Sequence, residues 1–263
     1  MPLIDPTRLN PLLSDAIGRF DVDSVDAIDS TNDELSRRAA RGAASGTVLV
    51  ADHQEAGRGR RGRPWLSSPT DSLTLSLLWR FSGPATRLSG LSLAIGVAVA
   101  RALETVGTHG LGLKWPNDIL LRRADGDYAK LAGILIELGS DAQGTQAIIG
   151  IGLNLDHPPG DVGQASACLK DALGDVPERH TLLAALLRQL AYVLDRFAVD
   201  GFAALRNDWL RHHAWQDQTV RLIDEGHILE GRCRGVDATG ALLIETEAGI
   251  QTILAGDVSL RRA

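Results

Sequence analysis

The chain has 263 residues, 44% of them apolar and 23% charged, enough for one large domain with a small one beside it. Its formal net charge of −6 excludes a general attraction to nucleic-acid backbones or anionic lipid, so any anion site has to be a local cluster of Arg or Lys. The start, Met1-Pro-Leu-Ile-Asp5-Pro6, shows no basic stretch ahead of an apolar core, so no secretory signal is read and a cytoplasmic protein is expected.

The first 25 or so residues carry one short helical pattern and then Asp21-Val-Asp-Ser-Val-Asp26, extended backbone with alternating charge, leaving no room for a helix-turn-helix module. Thr31-Asn-Asp-Glu34 fits a capping box that opens a helix running through Arg41, with Gly42 placed to end it. Gly46–Ala51 and Leu73–Trp79 read as strands. Leu88–Leu103, broken by Gly90, Gly96 and Arg101, reads as a buried helix too short and interrupted to span a bilayer, so no membrane partner is expected. Leu111–Lys114, Ile119–Leu121, Leu131–Leu138 and Ile148–Leu155 supply four more strands, several apolar on both faces, so helices should cover the sheet. Thr181–Ala198 sets Leu182, Leu186, Leu190 and Leu194 on one face of a core helix. Past Gln216 come short strands at Val220–Ile223, Ile228–Val236, Leu242–Thr246 and Ile250–Leu254, separated by Gly-containing turns. They form a small antiparallel barrel that should dock on the larger domain. Cys168 and Cys233 have no Cys or His at metal-ligand spacing and read as two ordinary thiols.

Five stretches carry chemistry beyond packing. Gly57-Arg-Gly-Arg-Arg-Gly-Arg63 interleaves guanidinium forks with glycines, so side chains and backbone N–H groups can converge on a carboxylate or phosphate; an Arg-Gly contact to nucleic acid fits the same residues. The run precedes Pro64-Trp65. Lys114-Trp-Pro-Asn-Asp118 sets polar groups into an apolar strand where Pro116 interrupts the ladder; Lys114 suits phosphate, and Asn117 with Asp118 suits a metal-bound nucleotide, while an edge bend with surface charges is the plainer alternative. Lys130-Leu-Ala-Gly133-Ile-Leu-Ile-Glu137 puts an ammonium at the mouth of an apolar strand, either to neutralise a carboxylate or simply to reach solvent. The chain has three lysines against 24 arginines, and two of the three fall in these motifs. Gly150-Ile-Gly152-Leu-Asn154 leaves one strand face bare, for a flat ligand or for a closely packed helix. Ser30-Thr31-Asn32 doubles as a helix N-terminus whose hydroxyls and N–H groups can bind a polar ring.

In this order, Ser30-Thr-Asn32, Gln54 to Arg63, Lys114 to Asp118, Lys130 to Gly133 and Gly150 to Asn154 closely resemble bacterial biotin protein ligases of the form without a DNA-binding domain. The likeness runs from about Ser30 to the end, through Gly235-Val-Asp-Ala-Thr-Gly240 and Gly256-Asp-Val-Ser-Leu-Arg261. It implies an α+β fold: a mixed sheet covered by helices, class II aminoacyl-tRNA-synthetase-like, over residues 1–215, and an SH3-like barrel over 216–263. It also implies biotin and ATP as substrates with Mg²⁺, and the biotin carboxyl carrier protein domain of acetyl-CoA carboxylase as acceptor. No DNA partner is implied, and a homodimer through sheet edges is compatible with it.

By the same resemblance, Ser30, Thr31, Asn32 and Gln54 hold the ureido end of biotin. Gly57, Arg58, Gly59 and Arg60 close over it, Gly133, Gly150 and Gly152 line its bed, and Lys130 meets the carboxylate. Arg60, Arg63, Trp65, Lys114, Asn117, Asp118, Lys130 and Asn154 face ATP, with Asp118 as the magnesium ligand. Arg58, Arg60, Lys114 and Lys130 are the catalytic set. The connection from Arg122 to Ala129 is longer than the family pattern leads one to expect. The nearest rival is a lipoate or octanoate ligase on the same fold; a nucleic-acid module using the Arg-Gly loop is the reading from another class.

Overall fold

The structure, a computed structural model, describes residues 2–141, 144–157, 160, 164–224, 227–254 and 259–262. The Glu225-Gly226 turn and residues 256–258 of the last motif lie outside them.

The apolar runs of the first two-thirds of the chain assemble into one seven-stranded sheet: β1 (Asp21–Ile28), β2 (Thr47–Gln54), β3 (Ser72–Phe81), β4 (Leu111–Lys114), β5 (Asp118–Arg122), β6 (Tyr128–Asp141) and β7 (Gly144–Asn154). Their order is β1-β2-β3-β7-β6-β5-β4, with β1 and β2 parallel and the other neighbours antiparallel. The stretch from Arg122 to Ala129 is largely strand: β5 runs through Arg122, β6 begins at Tyr128, and the Arg123 N–H donates to the Asp127 carbonyl at 2.7 Å. The excess length is a hairpin.

Among the described residues six α-helices accompany the strands: α1 (Pro6–Leu9), α2 (Thr31–Ala40), α3 (Leu91–Thr105), α4 (Leu169–Leu173), α5 (Arg179–Asp200) and α6 (Arg206–Arg211). Strand residues alternate between faces. Leu73, Leu75 and Leu77 of β3, Ile149, Ile151 and Leu153 of β7 and Ala132 and Ile134 of β6 face one way, into the core made with α3 and α5. The Leu182, Leu186, Leu190 and Leu194 stripe of α5 is fully buried there. Helix α3 is apolar nearly all round because it is buried nearly all round; its composition would suit a membrane span, and its place is the core. It starts three residues later than the apolar run, at Leu91, after Gly90 turns the chain with a φ of +79°.

On the opposite face α2 covers one end, over a small cluster of Leu35, Ala39, Leu49, Leu78 and Ile148. Its N-cap is Ser30, one residue earlier than the expected capping box, and accepts from the Asp33 N–H at 3.4 Å. Glu34 does not cap; it pairs with Arg37 and Arg38, and Thr31 is thereby left to face inward. Past α2 that face continues as Ser76, Thr74, Gly150, Gly152 and Gly133, residues too small or polar to hold a second helix by apolar burial.

The C-terminal strands β8 (Thr219–Asp224), β9 (His227–Val236), β10 (Leu242–Thr246), β11 (Gly249–Ile253) and β12 (Ser259–Arg262) form the small antiparallel β-unit, ordered β11-β10-β9-β8-β12. Val220, Leu222, Cys233, Val236, Leu242 and Ile244 join the same core as α3 and α5, so the unit is docked. Gly240 sits against Gly90, where a Cβ would come within 2.8 Å of the Gly90 Cα. The Trp115 Nε1–H donates to the Gly240 carbonyl at 3.1 Å. Residues 212–214 run along the outer edge of β4: the Leu113 N–H donates to His212 O at 2.6 Å and the Ala214 N–H to Leu113 O at 3.0 Å. Both cysteines are free and buried, and burial pushes the Cys168 thiol up to about 11, as befits packing groups.

Candidate active site

The uncovered end of the sheet carries a cavity of about 330 Å³, a volume suited to a small organic ligand. The register explains its floor. Thr74 pairs with Gly152, Gly152 with Gly133, Gly133 with Asp118 and Asp118 with Lys114, so these residues form one row across the sheet on one face. Every site residue expected from the sequence lines this cavity except Gly57. Gly57 stands behind the wall, its carbonyl accepting from the Trp65 N–H at 2.8 Å, and a Cβ there would meet the Trp65 carbonyl at 2.4 Å.

One end is a chain of neutral polar groups. The Thr31 N–H and hydroxyl donate to Gln54 Oε1 at 2.8 and 3.0 Å, and Ser76 Oγ lies 2.7 Å from Thr31 Oγ1 and 2.6 Å from Asn32 Oδ1. Ser30, Thr31, Asn32, Gln54 and Ser76 are all buried, so each conformation is set by its partners.

The other end is cationic. Lys130 Nζ lies 2.7 Å from Asp118 Oδ1 and Lys114 Nζ 3.6 Å from Asp118 Oδ2. Burial alone would push the Asp118 carboxyl up, but the Lys130 and Lys114 ammoniums outweigh it and hold it below the usual carboxylate range. Lys114 also lies 5.0 Å from the centre of the Trp215 ring and Lys130 5.8 Å from that of Trp65. This donor set does not fit a protein-held magnesium ion. Both oxygens of Asp118 face ammonium groups, and a divalent cation there would sit among like charges. Asn117 likewise turns inward: its Nδ2 donates to Ile134 O at 2.8 Å and its Oδ1 accepts from Arg60 Nη1 at 3.4 Å, so it steadies Arg60. Asn154 Nδ2 donates to Ala167 O at 2.9 Å, tying the segment that carries Gln164 and Ser166 to the cavity wall.

The glycine strip is not bare. The Trp65 indole lies on Gly152, where a Cβ would be 2.2 Å from the ring, and Asn32 lies on Gly150, where a Cβ would be 2.4 Å from Oδ1. The flat group over Gly152 is thus the protein's own, delivered by the loop that follows the Arg-Gly run. That loop reverses at Arg61 and Gly62, both at positive φ, and closes with the Gly59 N–H donating to Arg63 O at 2.7 Å. The Trp65 Nε1–H is buried and finds no hydrogen-bond partner among the described residues.

Sequence reading missed Thr74, Ser76, Gln164, Ser166, Glu137 and Trp215. The alternation Ser72-Leu-Thr74-Leu-Ser76 marks a polar strand face and was the available signal for two of them; nothing local marks the others.

Residues 24–154, from β1 to the end of β7 and spanning every motif of the site, match the biotin/lipoate A/B protein ligase family, and residues 217–261 match the biotin protein ligase C-terminal domain. The bifunctional ligase/repressor BirA of Escherichia coli is 38% identical over 94% of this chain and 77% of its own length. The chain belongs to the biotin protein ligase family. Within that family, the biotin--[acetyl-CoA-carboxylase] ligase of Mycobacterium tuberculosis is 33% identical, covering 98% of this chain and 95% of its own. The biotin protein ligase of Aquifex aeolicus, solved in complex with biotin and ATP, superimposes with a TM-score of 0.80 at 31% identity, over 92% of this chain and 99% of that one.

Proposed function

We propose that this chain activates biotin with ATP to biotinyl-5'-AMP and transfers the biotinyl group to a lysine of a biotin carboxyl carrier protein, as expected of a biotin--[acetyl-CoA-carboxylase] ligase. The observation that carries this reading is one cavity with a buried array of neutral hydrogen-bonding groups at one end and a Lys114–Asp118–Lys130 cluster at the other.

Ser30, Thr31, Asn32 and Gln54 take the ureido ring, whose alternating donors and acceptors match theirs. The carboxylate then reaches the lysines. Attack of a carboxylate oxygen on the α-phosphorus breaks the bond to the β-phosphate oxygen, and pyrophosphate leaves with the electron pair. Lys114 and Lys130 reduce the repulsion between the two anions and stabilise charge on the departing group. Asp118 stays ionised between them and fixes where the ammoniums stand. The Trp65 Nε1–H, without a partner among the described residues, is a further donor for the nucleotide.

In the second step the neutral amine of the acceptor lysine attacks the acyl carbon, AMP leaves and the nitrogen loses a proton. The mixed anhydride is open to hydrolysis, so the loop from Gly57 to Arg63 serves as a cover, its glycines giving it freedom to close. Lipoate and octanoate have no ureido group to hydrogen-bond with the buried polar side chains around Gln54, which disfavours both. We assign residues 1–215 to catalysis and 216–263 to the docked β-unit, in a cytoplasmic enzyme with no DNA partner. Of the sheet edges, β4 is occupied by residues 212–214, and a homodimer through β1 would bring exposed Asp21, Asp23 and Asp26 together.

The test is incubation with biotin, ATP, magnesium and a biotin carboxyl carrier domain, followed by mass measurement. The acceptor gains one biotinyl group; an unchanged mass, with the acceptor labelled by another biotin ligase in parallel, overturns the reading.

A further inference from the structure

We propose that Glu137 is a positioning residue which, with Asp33, latches the arginine-glycine loop to the floor of the biotin pocket; this rests on the function proposed above. Glu137 is not among the residues lining the cavity, and the family resemblance gives it no role. It lies on β6 on the same face as Gly133, and its two oxygens hold two different parts of the site. Oε2 accepts from Asn32 Nδ2 at 2.7 Å, and Oε1 accepts from Arg58 Nη2 at 3.1 Å. The same Arg58 nitrogen also pairs with Asp33 of the first turn of α2. One guanidinium nitrogen of the loop is therefore shared between a helix and a strand.

The consequence is directional. With Nδ2 held by Glu137, Asn32 presents Oδ1 toward Ser76 and Gly150, so the carboxylate that anchors the loop also fixes which way the pocket amide faces. A loop with glycines at 57, 59 and 62 has many open conformations, and a ligand that needs the closed one binds more weakly by the fraction of time the loop is closed. Arg58, Asp33 and Glu137 have side chains 42%, 38% and 35% exposed, so the ion pairs contribute little to global stability. Their removal should appear in ligand handling and not in melting.

Glu137→Gln keeps an oxygen for Asn32 and loses the charge facing Arg58. The expected result, by calorimetry and by acceptor-free assay, is a biotin Kd raised about tenfold and release of free biotinyl-adenylate raised by a similar factor. The KM for ATP and the melting temperature stay at wild-type values. Asp33→Asn should give a smaller change of the same kind, about threefold. In an Arg58→Ala background Glu137→Gln should add nothing to adenylate release. A wild-type biotin Kd and release rate in Glu137→Gln overturns the latch, as does an undiminished effect in the Arg58→Ala background. A lowered melting temperature with parallel losses in every constant also overturns it, by making Glu137 a scaffold residue. If the wild-type protein fails to bind biotin at all, the proposed function has failed; if it binds and the variants match it, only the latch has.

Discussion

The two faces of the seven-stranded sheet come from the same strands, residue by residue in alternation, and they do opposite work. Toward α3 and α5 the strands present Leu, Ile and Val with essentially no exposure. On the other side the same β3, β6 and β7 present Thr74, Ser76, Gly133, Gly150 and Gly152, and a cavity lies where no helix covers them. Stability is thus concentrated on one face and chemistry on the other. One strand can carry both because a shift of one residue changes the face.

The sharpest test of that division removes a charge from the open face. Lys130→Ala should lower adenylate formation, followed as pyrophosphate release, by about 10³-fold while the far-ultraviolet circular dichroism is retained. Pyrophosphate release at the wild-type rate would take Lys130 out of the chemistry. On the packed face, Leu186→Ala in α5 should destabilise by about 2–5 kcal/mol in denaturant unfolding and leave the biotin KM of the folded protein unchanged. A raised biotin KM would show the faces to be coupled.

A third test addresses the seam with the C-terminal unit. His213 is buried, with Nδ1 3.1 Å from Gln216 Oε1 and Nε2 3.6 Å from Cys233 Sγ, and burial pushes its pKa down from 6.5 to about 4. Between those values the unfolded chain binds the proton and the folded chain does not, so stability falls as pH drops from 6.5 towards 4, by about 3 kcal/mol at the limit. Melting curves across that range should show this slope in the wild type and a flatter one in His213→Gln. Equal slopes would assign the acid sensitivity to other groups. The smallest effect is expected on the floor of the site. Gly152→Ala should displace the Trp65 indole, change tryptophan fluorescence and raise the KM for ATP about tenfold, with little change in stability. An unaltered KM would mean that Trp65 is not part of the nucleotide site.

Much of this was legible in the residues. The apolar periods located most of the sheet strands and the two core helices, and nearly every site residue named from the spaced motifs lines the cavity. What local pattern could not supply was the partner of each group. Glu34 looks like a capping residue and instead gathers Arg37 and Arg38, because Ser30 already caps the helix. Asp118 looks like a metal ligand and instead separates two ammoniums, because β4, β5 and β6 bring Lys114, Asp118 and Lys130 to one end of the sheet. Gly152 looks like an open bed, and a tryptophan from a distant loop lies on it. Glu137 closes the Lys130 stretch with no sign of a role and Trp215 lies in no motif, since their places follow from strand register and from the path of the segment beside β4.

The sequence by itself determined which chemistry is present: cations among glycines, a polar helix start, strands with one small-residue face, and a family likeness across their order. Only the tertiary structure decided which of those groups meet. Local propensity and periodicity depend on neighbours along the chain, whereas charge pairing and burial depend on distances across strands that are far apart in sequence, and those distances exist only once the sheet has formed.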